Sequence, residues 1–256
     1  MPIFRVNNYI EAYRLRAQCE DIHEMAARPD KKAVTEFVNR QILASIQPGP
    51  EDFLVDIGCG DATLLRLACT GTPKCVGIVG TLEEKRRLES AFPGLRFLAG
   101  EAQRLPLESG IATKIVCNAT LFYLPSEVAV VAALREMARI ARSGATVWVG
   151  EIPEIDESVH YGAYQGASML GLLWHLLSHN GIRSFAGMIR RCLKATFGSD
   201  RIVLNSARPY HGGPDKMVAL AERSGLRLQT YFRHKDLDSQ GTVVDSRFRY
   251  DYIFKV

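Results

Sequence analysis

The sequence predicts a doubly wound α/β protein: a mostly parallel sheet with an antiparallel terminal hairpin, N-terminal helices, and a helical insertion after the fifth strand. Three observations carry this expectation. Short apolar runs of strand length alternate with helical segments. A glycine-rich turn, Asp56-Ile57-Gly58-Cys59-Gly60-Asp61-Ala62, follows the first of these runs. The alternation breaks between Ile152 and Gly213 and then resumes.

Taken in order, Tyr9 to Ala27 reads as a surface helix. After Pro29, the residues Val34, Phe37, Val38, Ile42 and Ile46 recur on one helical face until Gln47-Pro48-Gly49-Pro50 stops it. Phe53 to Ile57 is a strand apolar enough to be covered on both faces. Thr63 to Cys69 follows as a helix and Cys75 to Val79 as a second strand. Thr81 and Glu84 make a capping box for the next helix. Leu95 to Leu98 and Lys114 to Asn118 are the third and fourth strands. A helix runs from Pro125-Ser126 to Arg142, stopping at Gly144, and Thr146 to Gly150 is the fifth strand. The break holds two helices, around Tyr161 to Ser178 and Ile182 to Phe197. Asp215 to Ser224 is then a helix, with Leu226 to Phe232 and Tyr250 to Lys255 pairing as a hairpin across the loop Asp236 to Phe248. The expected organisation is one domain over 1–256: N-terminal helices at 1–49, a core at 50–151 and 214–256, and a helical lid or insertion at 152–213.

With 47% hydrophobic and 23% charged residues, the composition is that of a soluble globular protein. A net charge of +4 is too weak and too dispersed to argue nucleic-acid binding. The six cysteines include no Cys-x-x-Cys pair, so neither zinc nor a dithiol redox motif is signalled, and reduced thiols are expected. No apolar stretch reaches the roughly 20 residues of a membrane-spanning helix. Nor does the start resemble a signal peptide, and a cytoplasmic location is expected.

The turn carries chemistry. Glycines at 58 and 60 permit positive φ and let a ligand approach the backbone, and the small Ala62 lets the next helix pack closely. Asp56 at the strand end can accept from a bound amine or fix the turn. The segments Phe53 to Ala68, Val76-Gly77-Ile78, Gly100-Glu101-Ala102 with Leu105-Pro106-Leu107, Lys114 to Leu124, and Leu134 to Val149 resemble, in this order, those of the class I S-adenosylmethionine-dependent methyltransferases. The resemblance covers about Phe53 to Glu151 and implies a Rossmann-like fold, methyl transfer, and S-adenosylmethionine as cofactor. It implies that Asp56, Gly58, Cys59 and Gly60 meet the amino-acid part of the cofactor. Glu101 and Ala102 would meet the adenine, and Asn118 the surroundings of the sulfonium. Tyr123, or Phe122, would offer the cation a π face or simply pack in the core.

Two positions depart from the family pattern. Val79 stands where a carboxylate usually takes the ribose hydroxyls, and Lys114 where an acidic residue is common. Glu83 or Glu84 could reach back to the ribose, although the capping box engages Glu84. An oxygen acceptor usually needs a base. The candidates are Glu151, directly after the fifth strand, and His160 and His211 in loops. His175 and His179 lie at i, i+4 without a third ligand, so no metal is expected. The apolar stripes of the insertion read as a lid or homodimer surface. Contact with a membrane surface or an amphipathic substrate is the second reading. The expected activity is methylation of a small molecule at oxygen, with a sugar or glycan precursor as one class. The rival is a methyltransferase-like scaffold, or an enzyme of altered chemistry, in which Val79 marks a lost ribose contact.

Overall fold

A computed structural model describes residues 3–6, 8–26, 32–69, 74–155, 169–197, 202–205, 210–238 and 240–256. Seven strands form one sheet: β2 (Phe53–Ile57), β3 (Lys74–Val79), β4 (Phe97–Ala99), β5 (Ala112–Asn118), β6 (Ala141–Pro153), β8 (Arg227–Leu237) and β9 (Val243–Lys255). Their order is β4-β3-β2-β5-β6-β9-β8. The first five are parallel, while β9 runs antiparallel to both β6 and β8. The strand order reverses at β2, which places a crevice beyond the carboxyl ends of β2 and β5.

Period-2 alternation sends neighbouring residues of β2 to opposite sides of the sheet. Val55 and Ile57 join Ile115, Val147, Leu134, Met137, Met217 and Leu220 in one buried cluster. This cluster underlies α5 (Glu127–Ile140) and α8 (Pro214–Glu222). Leu54 joins Val116, Trp148, Ile42, Leu65 and Leu88 in the other, under α2 (Lys32–Ile46), α3 (Thr63–Ala68) and α4 (Leu82–Ala91).

The expected helix from Tyr9 to Ala27 is two pieces, α1 (Tyr9–Arg16) and a 3₁₀ turn at Ile22–Ala26. Asp21 Oδ1 accepts the His23 amide at 3.0 Å, a local side-chain bond that competes with the helical ladder. The helix expected to reach Arg142 stops at Ile140, because Ala141 turns extended and pairs with Ala112. The terminal hairpin is longer than its apolar runs suggested. Leu237 pairs with Val243, so most of the expected Asp236 to Phe248 loop is strand. These outer pairs carry charged residues such as Lys235 and Asp245, which an apolar-run criterion misses.

Of the first insertion helix, α6 (Met169–His175) and a π turn at Leu176–Asn180 are described, followed by α7 (Gly181–Phe197). The expected residues before Met169 lie outside the described ones. A pairing with no local signal is β1 (Ile3–Val6) beside β7 (Ile202–Asn205), parallel and separate from the main sheet.

Candidate functional site

A cleft of about 840 Å³ opens at the carboxyl ends of β2, β3, β4 and β5. Its floor is the glycine turn. Gly58 has φ +76°, and a Cβ there would stand 2.1 Å from Thr120 Oγ1. Gly60 has φ +53°, with Ala26 Cα 3.3 Å from where its Cβ would be. The Gly58 and Cys59 amides both donate to Ile78 O, at 2.9 and 3.2 Å, pinning the turn to β3. Cys59 is buried, its Sγ filling the space that a Gly77 side chain would need. Cys59 therefore reaches the cleft wall mainly through its backbone.

Among the described residues, two carboxylates beside the turn have no salt bridge to a Lys or Arg. Asp56 is buried, and desolvation, then the neighbouring Asp61, push its pKa up to about 7. Asp61 accepts the Thr63 amide at 3.1 Å and contacts His23 Nδ1 at 2.5 Å, which fastens the 3₁₀ turn over the floor.

Val79 is 2% exposed and packs with the α4-side core, so the ribose position predicted from sequence carries no acceptor. Glu84 stands next to it. It is buried, lines the same cleft, and places Oε2 3.6 Å from where a Gly80 Cβ would be. The capping box forms, since Thr81 Oγ1 accepts the Glu84 amide at 3.2 Å and donates to Glu84 Oε2 at 2.9 Å. That bond aims the carboxyl at the cleft instead of withdrawing it. Burial raises the Glu84 pKa to about 7.

Aromatic rings line the cleft as well. Asn8 caps α1 by accepting the Ile10 amide at 2.8 Å. One turn apart on that helix, Tyr9 and Tyr13 meet the Tyr123 ring edge-on, at centroid distances of 4.8 and 5.7 Å. Burial, then Tyr123, push Tyr9 up to about 12 and Tyr13 well above its ordinary value, so both phenols stay protonated.

Asn118 belongs to a relay across strand ends. Its Oδ1 faces Trp148 Nε1 at 3.4 Å, and its Nδ2 donates to Glu151 Oε1 at 2.9 Å. Glu151 Oε2 accepts from Arg249 Nη1 at 2.7 Å, and its amide donates to Asp251 Oδ1 at 2.8 Å. Asp251 in turn holds His234 Nδ1 at 2.9 Å. Gly150 makes room, since any Cβ there would stand 2.0 Å from Asn118 Oδ1.

Of the predicted residues, Asp56, Gly58, Cys59, Gly60, Val79, Glu101, Ala102, Asn118 and Tyr123 all line this cleft. Glu151 lies behind the wall, fully buried at φ +58°, with its carboxylate held by Asn118 and Arg249. His211 is exposed and away from the cleft lining, and His160 lies outside the described residues. Sequence reasoning did not single out Tyr9, Tyr13 and Asn8. The Tyr9/Tyr13 spacing at i, i+4 was the available signal for the first two.

Residues 55–149 match the family described as Methyltransferase domain. Among solved structures, an S-adenosylmethionine-dependent methyltransferase from Methanosarcina mazei aligns with a TM-score of 0.56 and 16% identity, covering 84% of this chain and 96% of its own. A chain from the complex between the Haloferax volcanii Trm112 methyltransferase activator and a methyltransferase aligns with a TM-score of 0.62 and 15% identity, covering 98% of each. A geranyl diphosphate methyltransferase in complex with S-adenosylmethionine gives a TM-score of 0.53 and 14% identity, covering 86% of this chain and 84% of its own. No curated protein matches the sequence. The match likens residues 55–149 to a methyltransferase domain, and the solved structures share the fold.

The donor set suits S-adenosylmethionine. The buried carboxyl of Asp56, with no salt bridge to a Lys or Arg among the described residues, suits an ammonium, and Glu84 supplies an acceptor beside Val79.

Proposed function

We propose that the chain methylates a small molecule at oxygen, holding S-adenosylmethionine on the glycine turn and the acceptor against the Tyr9, Tyr13 and Tyr123 wall. The observation that carries this reading is the cleft itself. Its volume of about 840 Å³ is in the range of small-molecule sites, with both acids and aromatic rings in its lining. In this reading Asp56 takes the amino group of the cofactor, Glu84 takes the ribose hydroxyls in place of a carboxylate at 79, and Glu101 and Ala102 border the adenine. When bound, the cofactor supplies a methyl group already activated on a sulfonium, so positioning does much of the catalysis.

Asn118, oriented by Trp148 and Glu151, lines the same cleft. Arg249 also lines the cleft, with its guanidinium 6.0 Å from the Phe122 ring centroid. Glu151 is a positioning residue for Asn118 and Arg249 in this reading, and transfers no proton. Among the described residues no histidine lines the cleft, and the raised Tyr9 and Tyr13 are poor bases. An acceptor that arrives as an oxyanion, such as a carboxylate or an acidic hydroxyl of a sugar or glycan precursor, would need no base and would suit Arg249.

Calorimetric titration with S-adenosylmethionine and S-adenosylhomocysteine tests the first half; absence of binding at millimolar concentration overturns it. Methyl transfer to a panel of small carboxylates, phenols and acidic sugars tests the second, and turnover only on amines would overturn it. Binding of the cofactor without transfer to any acceptor would favour the scaffold reading.

A further inference from the structure

Helices α6 and α7 turn large apolar side chains outward. Leu170 is 81% exposed, Trp174 70%, Ile182 73% and Phe197 85%. A lid packed on the sheet would bury such residues, and scattered single exposures do not explain four of this size on two consecutive helices. Charge is equally one-sided. Residues 167–197 contain no Asp or Glu, while Arg183, Arg190, Arg191 and Lys194 all fall on α7. Arg191 Nη2 pairs with Glu24 Oε1 at 2.6 Å, which ties α7 to the 3₁₀ turn whose Met25 and Ala26 line the cleft.

Exposed Leu and Trp on α6, exposed Ile and Phe on α7, and the cations of α7 together match the chemistry of a bilayer interface: apolar side chains enter the headgroup boundary and cations meet anionic lipid. A second copy is a poorer occupant, because residues 167–197 of each copy are cationic and hold no carboxylate. No helix among the described residues is long and apolar enough to cross a membrane, so the contact would be interfacial.

We infer that α6 and α7 form a docking surface for an anionic lipid membrane, with Leu170, Trp174, Ile182 and Phe197 as the inserting side chains. The surface is tied to the cleft through the Arg191–Glu24 pair, so docking brings the cleft rim close to the bilayer. This inference stands apart from the identity of the acceptor.

The chain offers a direct probe, because it has two tryptophans and Trp148 is buried. The full-length protein should co-sediment with phosphatidylcholine vesicles containing phosphatidylglycerol, and much less with phosphatidylcholine alone. Trp174 emission should shift to the blue, and added salt should weaken binding. Trp174→Ser combined with Phe197→Ser should cut vesicle binding at least about tenfold, with S-adenosylhomocysteine affinity unchanged. Arg190→Glu, which leaves the apolar residues in place, should also weaken binding to the anionic vesicles. No sedimentation with either vesicle overturns the proposal. So does equal binding to both, or a dimer by light scattering in which Trp174 emission is already blue-shifted without lipid.

Discussion

Val79 shows how one side chain can mislead about a site. Read from sequence, it removes an acceptor and invites Val79→Asp as a repair. In the structure it is core, so that substitution would bury an unpaired charge and should lower Tm without tightening cofactor binding. The informative change is Glu84→Gln. Loss of a charged acceptor should weaken S-adenosylhomocysteine about 10- to 100-fold by calorimetry, in line with ~1.5–3 kcal/mol for such a bond. Asp56 and Glu84 also set a pH dependence. Both titrate near pH 7 when folded and near 4 when unfolded. The folded chain therefore holds extra protons between those values. Their stabilising contribution is complete below about pH 4 and is lost as pH rises through about 7. Melting curves against pH should show this decline in the ligand-free protein, and Asp56→Asn should flatten it. Binding of an ammonium favours ionised Asp56, so cofactor affinity should rise over the same interval, with protons released to buffer on binding.

Local elements differ in how much of them sequence could disclose. The strand–turn–helix around Gly58 was legible because its requirements are local. Gly58→Ala should abolish cofactor binding, since it forces a Cβ onto Thr120 at positive φ; Thr120→Gly in the same chain should restore only part of the loss, because φ stays unfavourable. The Asn118–Glu151–Arg249–Asp251–His234 relay was not legible. Its members come from four strands, and the registers of β5 with β6, β6 with β9 and β9 with β8 together assemble them. A carboxylate directly after a strand reads as a base in isolation; its hydrogen bonds to Asn118 and Arg249 favour the supporting role of the proposed function. Glu151→Ala removes the acceptor of both Asn118 and Arg249 and should cost about 1–3 kcal/mol in denaturant melts. If Glu151 were instead the base, Glu151→Gln would abolish transfer at unchanged cofactor affinity.

Over the whole molecule, the sheet came through clearly in the sequence because every parallel strand is apolar on both faces, while the cleft roof did not. Asn8, Tyr9, Tyr13, Met25 and Ala26 all line the cleft, yet they precede the domain match at 55–149. Deleting residues 1–26 should leave far-UV dichroism of the core largely intact and weaken S-adenosylhomocysteine binding at least about tenfold, since each lost contact to a buried ligand costs on the order of a kcal/mol. The pairing of β1 with β7 adds a temporal consequence. Ile3 cannot meet Ile202 until nearly 200 further residues have been made, about 10–40 s of synthesis at ordinary ribosomal rates. β1 thus waits for its partner and can settle beside the cleft only once β7 has been made.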